Sequence, residues 1–400
     1  MQRSQNRRRR RRSPLQRYMP LIVTAVCTVA AIIIAVCIIS GLRKDVPASA
    51  PVATILPTIE ATAVPTAEPT AVPTPEPTPE PLPNAVYRPG AKDGWLPVFR
   101  KAETEEKMIA ITVDDCFQAE NLAQIVQTAL EYGGKLTIFP IGDEAAKPRQ
   151  TEILRYAWQN GMELENHTYT HSALYNITDE ALAQEIYRQN LVLSNIVGQE
   201  YQAHFVRPRG GDARNDQRIH AYAKQIGYAG IAHWSLSGAN DIKKLKETLT
   251  PGAIYLFHTT DKDLKKLVEF IPFAVSQGYR LVTLNEMFGY PANEVRPFTK
   301  PIEQYEIPPL QPYDVVAVTY KQKSYAYGVV QLQQKLIAMG YLEGSADGVY
   351  GETCAAAVSK FQAENGFLPD GVATPEVQAK INEVYQSKGS PALPPVGRQS

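Results

Sequence analysis

Adjacent aspartates, Asp114 and Asp115, two histidines four residues apart, His167 and His171, and a further histidine, His258, have types that suit hydrolytic chemistry. Two imidazoles and one carboxylate leave open positions on a bound cation for water and substrate, as in catalytic zinc sites and other divalent-ion triads. The histidine spacing brings both rings together if the segment makes a helical turn. Alone, that spacing arises by chance on helices, and one of two adjacent aspartates can simply cap the helix that follows. Consecutive aspartates suit a division of labour in which one carboxylate binds the ion and its neighbour takes a proton from water. His258 could protonate a leaving group. The chemistry implied is metal-assisted hydrolysis of an amide or ester.

Such residues meet only if the elements carrying them end at one rim. Apolar runs at 109–113, 136–139, 162–164, 204–206, 230–234, 253–257 and 280–284 read as strands. Helical patterns lie between them: Leu122, Ile125, Val126, Ala129 and Leu130 form one stripe closed by Gly133-Gly134, and Thr178 opens another with Asp179 and Glu180 in its first turn. Seven strands with intervening helices make an α/β fold, an open parallel sheet or a barrel. Asp114-Asp115 follow the first strand, His167 and His171 the third and Arg207 the fourth, while Trp234 closes the fifth and His258 the sixth. In a βα barrel the loops after the strands form the catalytic rim.

Residues 107–290 resemble the polysaccharide deacetylase family, the carbohydrate esterases of family four. Thr112-Val113-Asp114-Asp115-Cys116 resembles its T-F-D-D-G motif, and Asn166-His167-Thr168-Tyr169-Thr170-His171 its H-x-x-x-H motif. Phe205-Val206-Arg207-Pro208-Arg209-Gly210-Gly211 resembles the R-P-P-Y-G segment, and Ile254-Tyr255-Leu256-Phe257-His258 the L-x-H motif. The stretch from Gly134 to Gly142 is similar to the family's K-A-T-F-F-x-x-G. Ordered recurrence is far more specific than any one motif.

The resemblance implies a distorted (β/α)7 barrel that removes acetyl groups from N-acetylated sugars with one divalent metal, zinc first, with cobalt, manganese or nickel as alternatives. It implies Asp114 as general base, Asp115, His167 and His171 as metal ligands, and His258 as general acid. Arg207 would orient the base carboxylate, a backbone N–H near Gly210 would stabilise the oxyanion, and Trp234 would wall the pocket. Three departures stand out. Cys116 replaces a glycine and is placed with Trp234 and Gly210 at the substrate site, as a small filler rather than a ligand. Arg209-Gly210 replaces Pro-Tyr. The stretch 234–241 lacks the family's carboxylate near Ser237, for which Asp241 or Asp212 could substitute.

Farther on, Leu332, Leu336 and Met339 make a stripe ended by Gly340, a second runs through Ala356, Ala357, Val358 and Phe361, and a third through Val377 and Ile381. Asp347-Gly348-Val349 recurs as Asp370-Gly371-Val372, each a turn before a helix. The three short helices resemble the peptidoglycan-binding domain, through Val330-Gln331, Met339-Gly340-Tyr341, Asp347-Gly348, Gly351, Thr353, Ala357-Val358 and Phe361-Gln362. That likeness implies binding of wall glycan or stem peptide.

The 41 Lys+Arg balance 41 Asp+Glu, yet ten of the basic residues fall in residues 1–44, which hold no acidic one. A basic head on an acidic body argues against a nucleic-acid partner. Tyr18 to Leu42 carries no charge and, as a helix of about 37 Å, could cross roughly 30 Å of hydrocarbon. Arginines before it keep the N-terminus cytoplasmic and send the rest outward; Ala48-Ser49-Ala50 offers the competing reading of a cleaved signal. Eleven prolines in residues 47–84 make an extended spacer. The expected plan is a basic cytoplasmic tail (1–18), a transmembrane signal-anchor helix (19–42), a Pro-rich linker (43–90), the barrel (91–290), a connector (291–325) with one strand at 314–320, the peptidoglycan-binding domain (326–385) and a disordered tail (386–400). The reading is a single-pass cell-membrane protein whose enzyme domain faces the wall and acts on peptidoglycan or another N-acetylated glycan. A catalytically weak wall-binding protein and an O-acetyl esterase are the rivals. With Cys27 and Cys37 in the apolar span, and Cys116 and Cys354 in different domains, no structural disulfide is expected.

Overall fold

The computed structural model describes residues 95–211 and 216–396. The expected tail, transmembrane helix and Pro-rich linker lie outside the described residues, as do Cys27 and Cys37. Among the described residues no helix is long and apolar enough to cross a membrane, and both cysteines are free and buried.

The strands, in chain order, are β1 Val98–Phe99, β2 Met108–Asp115, β3 Thr137–Pro140, β4 Glu163–Leu164, β5 Glu200–Gln202, β6 Phe205–Val206, β7 Gly230–Ala232, β8 Leu236–Ser237, β9 Ile254–His258, β10 Arg280–Leu281 and β11 Glu294–Arg296. The seven apolar runs correspond to β2, β3, β4, β6, β7, β9 and β10. β2 is buried throughout except at Asp115, as a central strand of a parallel sheet should be. Its neighbours give the order β4-β3-β2-β9-β8, with β10 on the start of β2, and a second parallel sheet runs β1-β7-β6. The expected single seven-stranded barrel is therefore two parallel sheets, joined by bridges at Asn166–Val206 and Lys101–Ala253.

The break has a local cause. The run 230–234 ends as a strand at Ala232: the His233 N–H bonds to Phe99 O at 2.7 Å, but the Ser235 N–H bonds to Ile254 O at 3.0 Å. The chain thus leaves one sheet and joins the other within two residues, carrying Trp234 across the gap. Helices cover the sheets through their apolar stripes. Ala119–Glu131 buries Leu122, Ile125, Val126 and Ala129. Asp179–Val197 starts where Thr178 accepts a hydrogen bond from the Ala181 N–H and stops at left-handed Gly198.

Three helices, Tyr327–Ala338, Glu352–Glu364 and Pro375–Ser387, enclose a separate core of Leu332, Leu336, Tyr350, Val358, Phe361 and Ile381. The two Asp-Gly-Val turns are built alike. Gln333 Nε2 donates to Asp347 Oδ1 and Val349 O while its Oε1 accepts from the Gly348 N–H; Gln362 does the same for Asp370, Val372 and Gly371. Both glycines need a positive φ, +77° and +68°.

Two expectations are corrected in the flanking segments. Residues 314–320 form no strand, because side chains take their main-chain groups: the Gln217 amide pairs with both N–H and C=O of Val316, and Gln378 donates to Val318 O. The connector's strand is β11, antiparallel to β5. Nor is the whole tail from 386 disordered. Ser387 ends the third helix, Tyr385 and Gln334 donate to the carbonyls of Pro391 and Pro394, and Val396 bridges to Ala346. Residues 397–400 lie outside the described residues.

Candidate metal centre and active site

Asp114 and Asp115 end β2, and the register sets Asp114 beside His258 at the end of β9. Asp115 Oδ1 lies 3.3 Å from His167 Nε2 and 3.7 Å from His171 Nε2. One ligand atom from each of the three can be chosen so that all lie within 4.8 Å of one another. His204, His220 and His233 stand outside this cluster, in contact with Asn285, Trp95 and Arg100 respectively.

The histidines do not converge by a helical turn. No helix spans 165–171; instead Thr168 and His171 adopt left-handed backbone, φ +65° and +60°, as do Asp115 and Cys116, both +69°. Such conformations are uncommon for non-glycine residues and cluster at functional sites. The glycine expected at position 116 would take that φ without strain. Cys116 pays it with its side chain fully buried in the apolar core. That corrects its placement at the substrate site, since a fully buried thiol cannot line a cleft. Burial pushes its pKa well up, with Asp115 and Asp114 adding to it.

The residues present fit a divalent ion. Asp115 Oδ1 is buried with no hydrogen-bond partner, which a carboxylate oxygen rarely tolerates unless something else fills the position. His167 Nδ1 donates to Arg207 O at 2.6 Å, which fixes the ring with Nε2 facing Asp115. Burial, reinforced by His167, pushes the His171 pKa down to about 4, so this ring is neutral at neutral pH. Burial raises the Asp115 pKa, but the approach of His167, His171 and His258 outweighs it and the net shift is downward. The donor set is one carboxylate and two imidazoles.

Arg207, wholly buried, serves the site twice. Its carbonyl fixes His167, and its Nη1 donates to Asp114 Oδ1 at 2.5 Å and to Thr112 Oγ1 at 2.9 Å. Its guanidinium stacks 4.0 Å from the Phe139 ring centroid and lies 5.8 Å from that of Trp234. Trp234 is half-buried on the rim, stacked on His233. Gly210 lies exposed in the turn after Pro208.

One functional residue escaped the sequence reading. Near Ser237 no carboxylate reaches His258; Asp241 caps its own helix through the Lys244 N–H, and Asp212 lies outside the described residues. Asp263 takes the place instead. Its Oδ2 accepts from the His258 backbone N–H at 2.9 Å and stands 3.4 Å from His258 Nδ1. This contact, working against burial, raises the His258 pKa. The signal was Thr260-x-x-Asp263, a helix start in which Thr260 accepts from the Asp263 N–H and so sets the carboxylate just beyond the strand end.

An ion held by the triad would have a proton acceptor on one side and a proton donor on the other, the layout metal-assisted hydrolysis requires. Comparison with known proteins leads to the same class. Residues 101–231 match the family model for polysaccharide deacetylase and residues 326–381 that for the peptidoglycan binding domain; the chain carries one domain of each kind. Two curated relatives from Bacillus cereus, both named peptidoglycan-N-acetylglucosamine deacetylase, are 26% and 28% identical, covering 48% and 46% of this chain and 70% and 90% of their own. A solved structure of a CE4 family pseudoenzyme from Bacillus anthracis superposes with a TM-score of 0.43 at 18% identity, over 48% of this chain and 68% of that one. That likeness is too loose to bear on activity.

Proposed function

We propose that the protein is a divalent-metal-dependent deacetylase that hydrolyses the N-acetyl group of amino sugars in peptidoglycan or a related surface glycan. The carrying observation is the partnerless Asp115 oxygen facing His167 and His171, beside an aspartate held by Arg207. Asp115, His167 and His171 would hold the ion, zinc by the two-imidazole, one-carboxylate donor set. When bound, the ion supplies Lewis acidity toward the acyl oxygen and the attacking water. Asp114 accepts the proton from that water, with Arg207 fixing which oxygen faces it. His258, kept protonated by Asp263, delivers a proton to the departing amine. The Gly210 N–H is the donor assigned to the oxyanion, and Trp234 walls the sugar site.

Asp263 supports an active enzyme over a weak wall-binding protein, because it gives the acid histidine the carboxylate partner that the stretch near Ser237 lacks. Residues 19–42 would anchor the chain in the cell membrane and residues 43–90 would hold the enzyme out toward the wall, where the C-terminal domain keeps it on its polymer. Acetate release from N-acetylglucosamine oligomers with added zinc or cobalt tests the reading. Wild-type release that Asp114→Asn lowers by about 10² to 10⁴ is expected. Turnover of aryl-acetate esters with no amide turnover would replace it with the O-acetyl esterase.

A further inference from the structure

The C-terminal domain does more than follow the barrel in sequence. Three residues after His171 the chain makes the short turn Leu174–Asn176 and then enters the helix capped by Thr178. Arg218, 2% exposed, grips this turn from behind: Nη2 donates to Leu174 O at 2.8 Å, and Nη1 donates to Ile177 O at 2.8 Å and to Asp179 Oδ1 at 3.1 Å. Nε and Nη2 also donate to the two oxygens of Asp216, at 3.1 and 2.9 Å. The far side of the same group belongs to the C-terminal domain. The Tyr327 ring lies 3.8 Å from the guanidinium, and the Tyr327 N–H, in the first turn of its helix, donates to Asp216 Oδ2 at 3.0 Å. The turn itself is touched twice more: Tyr175 packs on Tyr325 with ring centroids 5.6 Å apart, and a Cβ at Gly348 would stand 2.9 Å from both the Tyr175 ring and its carbonyl.

We infer that the C-terminal domain is a structural part of the metal centre: docked through Tyr325, Tyr327 and Gly348 on the Arg218-held turn, it fixes the loop that carries His171 and thereby sets the affinity for the ion. The physical need is plain. His171 sits in left-handed backbone, a conformation that persists only when its surroundings over-determine it. Thr170 on its N-terminal side is tied to Glu185 by backbone and hydroxyl. On its C-terminal side Ser172 Oγ pairs with Thr170 Oγ1 and Leu174 is buried in the barrel core, while Arg218 and the domain behind it hold the backbone of the turn. Arg218, Tyr325 and Tyr327 are positioning residues; none belongs to the ligand set. A tether whose task is to keep the enzyme near its polymer would have no reason to bury an arginine between itself and the loop of a metal ligand.

The inference rests on the metal reading above, and the two can fail separately. The test titrates Co2+ into the full chain, following the cobalt absorption bands, for wild type, Tyr325→Ala/Tyr327→Ala and Tyr325→Phe/Tyr327→Phe. Losing a support behind a ligand should weaken binding about 10- to 100-fold, with altered bands, in the alanine variant; the phenylalanine variant, which keeps both rings, should return to the wild-type constant. An alanine variant that is folded by circular dichroism and binds Co2+ as wild type does overturns the inference while leaving the metal site standing. Failure of wild type to bind Co2+ at all sinks the metal reading instead. Should the alanine variant not fold, Arg218→Lys, which keeps the charge but loses the fork, is titrated in its place: weakened binding supports the inference and an unchanged constant overturns it.

Discussion

The catalytic rim and the C-terminal domain both bury polar side chains, and they do so to opposite ends. In the C-terminal domain, buried Gln333 and Gln362 each use donors and acceptor on one turn, and the left-handed positions of those turns are glycines. Residue type, backbone and hydrogen bonds agree, as expected of a part whose task is to hold a shape. At the rim they disagree. Asp115 Oδ1, Thr168 Oγ1 and Arg207 Nε are buried without partners, and Asp115, Cys116, Thr168 and His171 occupy backbone that suits glycine. Unsatisfied valence and strain gathered in one place mark a site prepared for something not made of protein.

The widest separation between the two regions comes from removing charges at the rim. His167→Ala or Asp115→Ala should abolish one-to-one binding of Zn2+ in calorimetry and turnover with it. Asp114→Asn should leave the ion bound and lower turnover by about 10² to 10⁴, the usual worth of a positioned proton acceptor. Arg207→Met should match that loss and also cost about 3–5 kcal/mol in urea unfolding, because Asp114 is left buried without its cation. An Arg207→Met protein as stable as wild type would show that the Arg207–Asp114 pair does not support the fold.

These side chains were legible because strand ends are legible. Period and burial fixed β2 and β9, and the parallel register then set Asp114 beside His258. The manner of convergence was not legible: Asp115, Thr168 and His171 have no residue-type signal for left-handed backbone, so the histidine spacing pointed to a helical turn that does not exist. β1, β5, β8 and β11, of two or three residues each, were not read as strands. Asp263 was hidden for another reason, since an acidic residue in the first turn of a helix is accounted for by the helix dipole before any other role is sought. The packing of Tyr327 on Arg218 depends on two units meeting, which no local pattern encodes.

A smaller effect separates Asp263 from Asp114. Asp263 raises the His258 pKa, so the acid form persists to higher pH, and activity is lost as pH rises through that raised value. Asp263→Asn removes the largest cause and leaves burial, which favours neutral imidazole, opposed only by the smaller pull of Asp114 and Asp115. The alkaline limb of kcat should move to lower pH while the acidic limb, governed by other groups, stays put. A shift of about one unit corresponds to roughly tenfold less activity on the alkaline side. An unmoved limb would assign the proton donor elsewhere.

The finest test lies within the C-terminal domain, where chemistry and architecture can be compared on one motif. Gln333→Ala and Gln362→Ala delete the same three hydrogen bonds from equivalent turns, so each should cost about 1–3 kcal/mol in thermal or urea unfolding of that domain. Their positions differ in one respect: Gly348, held by Gln333, abuts Tyr175 below the His171 loop, whereas Gly371, held by Gln362, packs on Ala355 of its own domain. Gln333→Ala should therefore weaken Co2+ binding several-fold, roughly 1 kcal/mol, and Gln362→Ala should leave it at the wild-type value. Equal binding by both variants would return the C-terminal domain to the role of a passive tether, since the motif that faces the barrel would then behave no differently from the one that faces away.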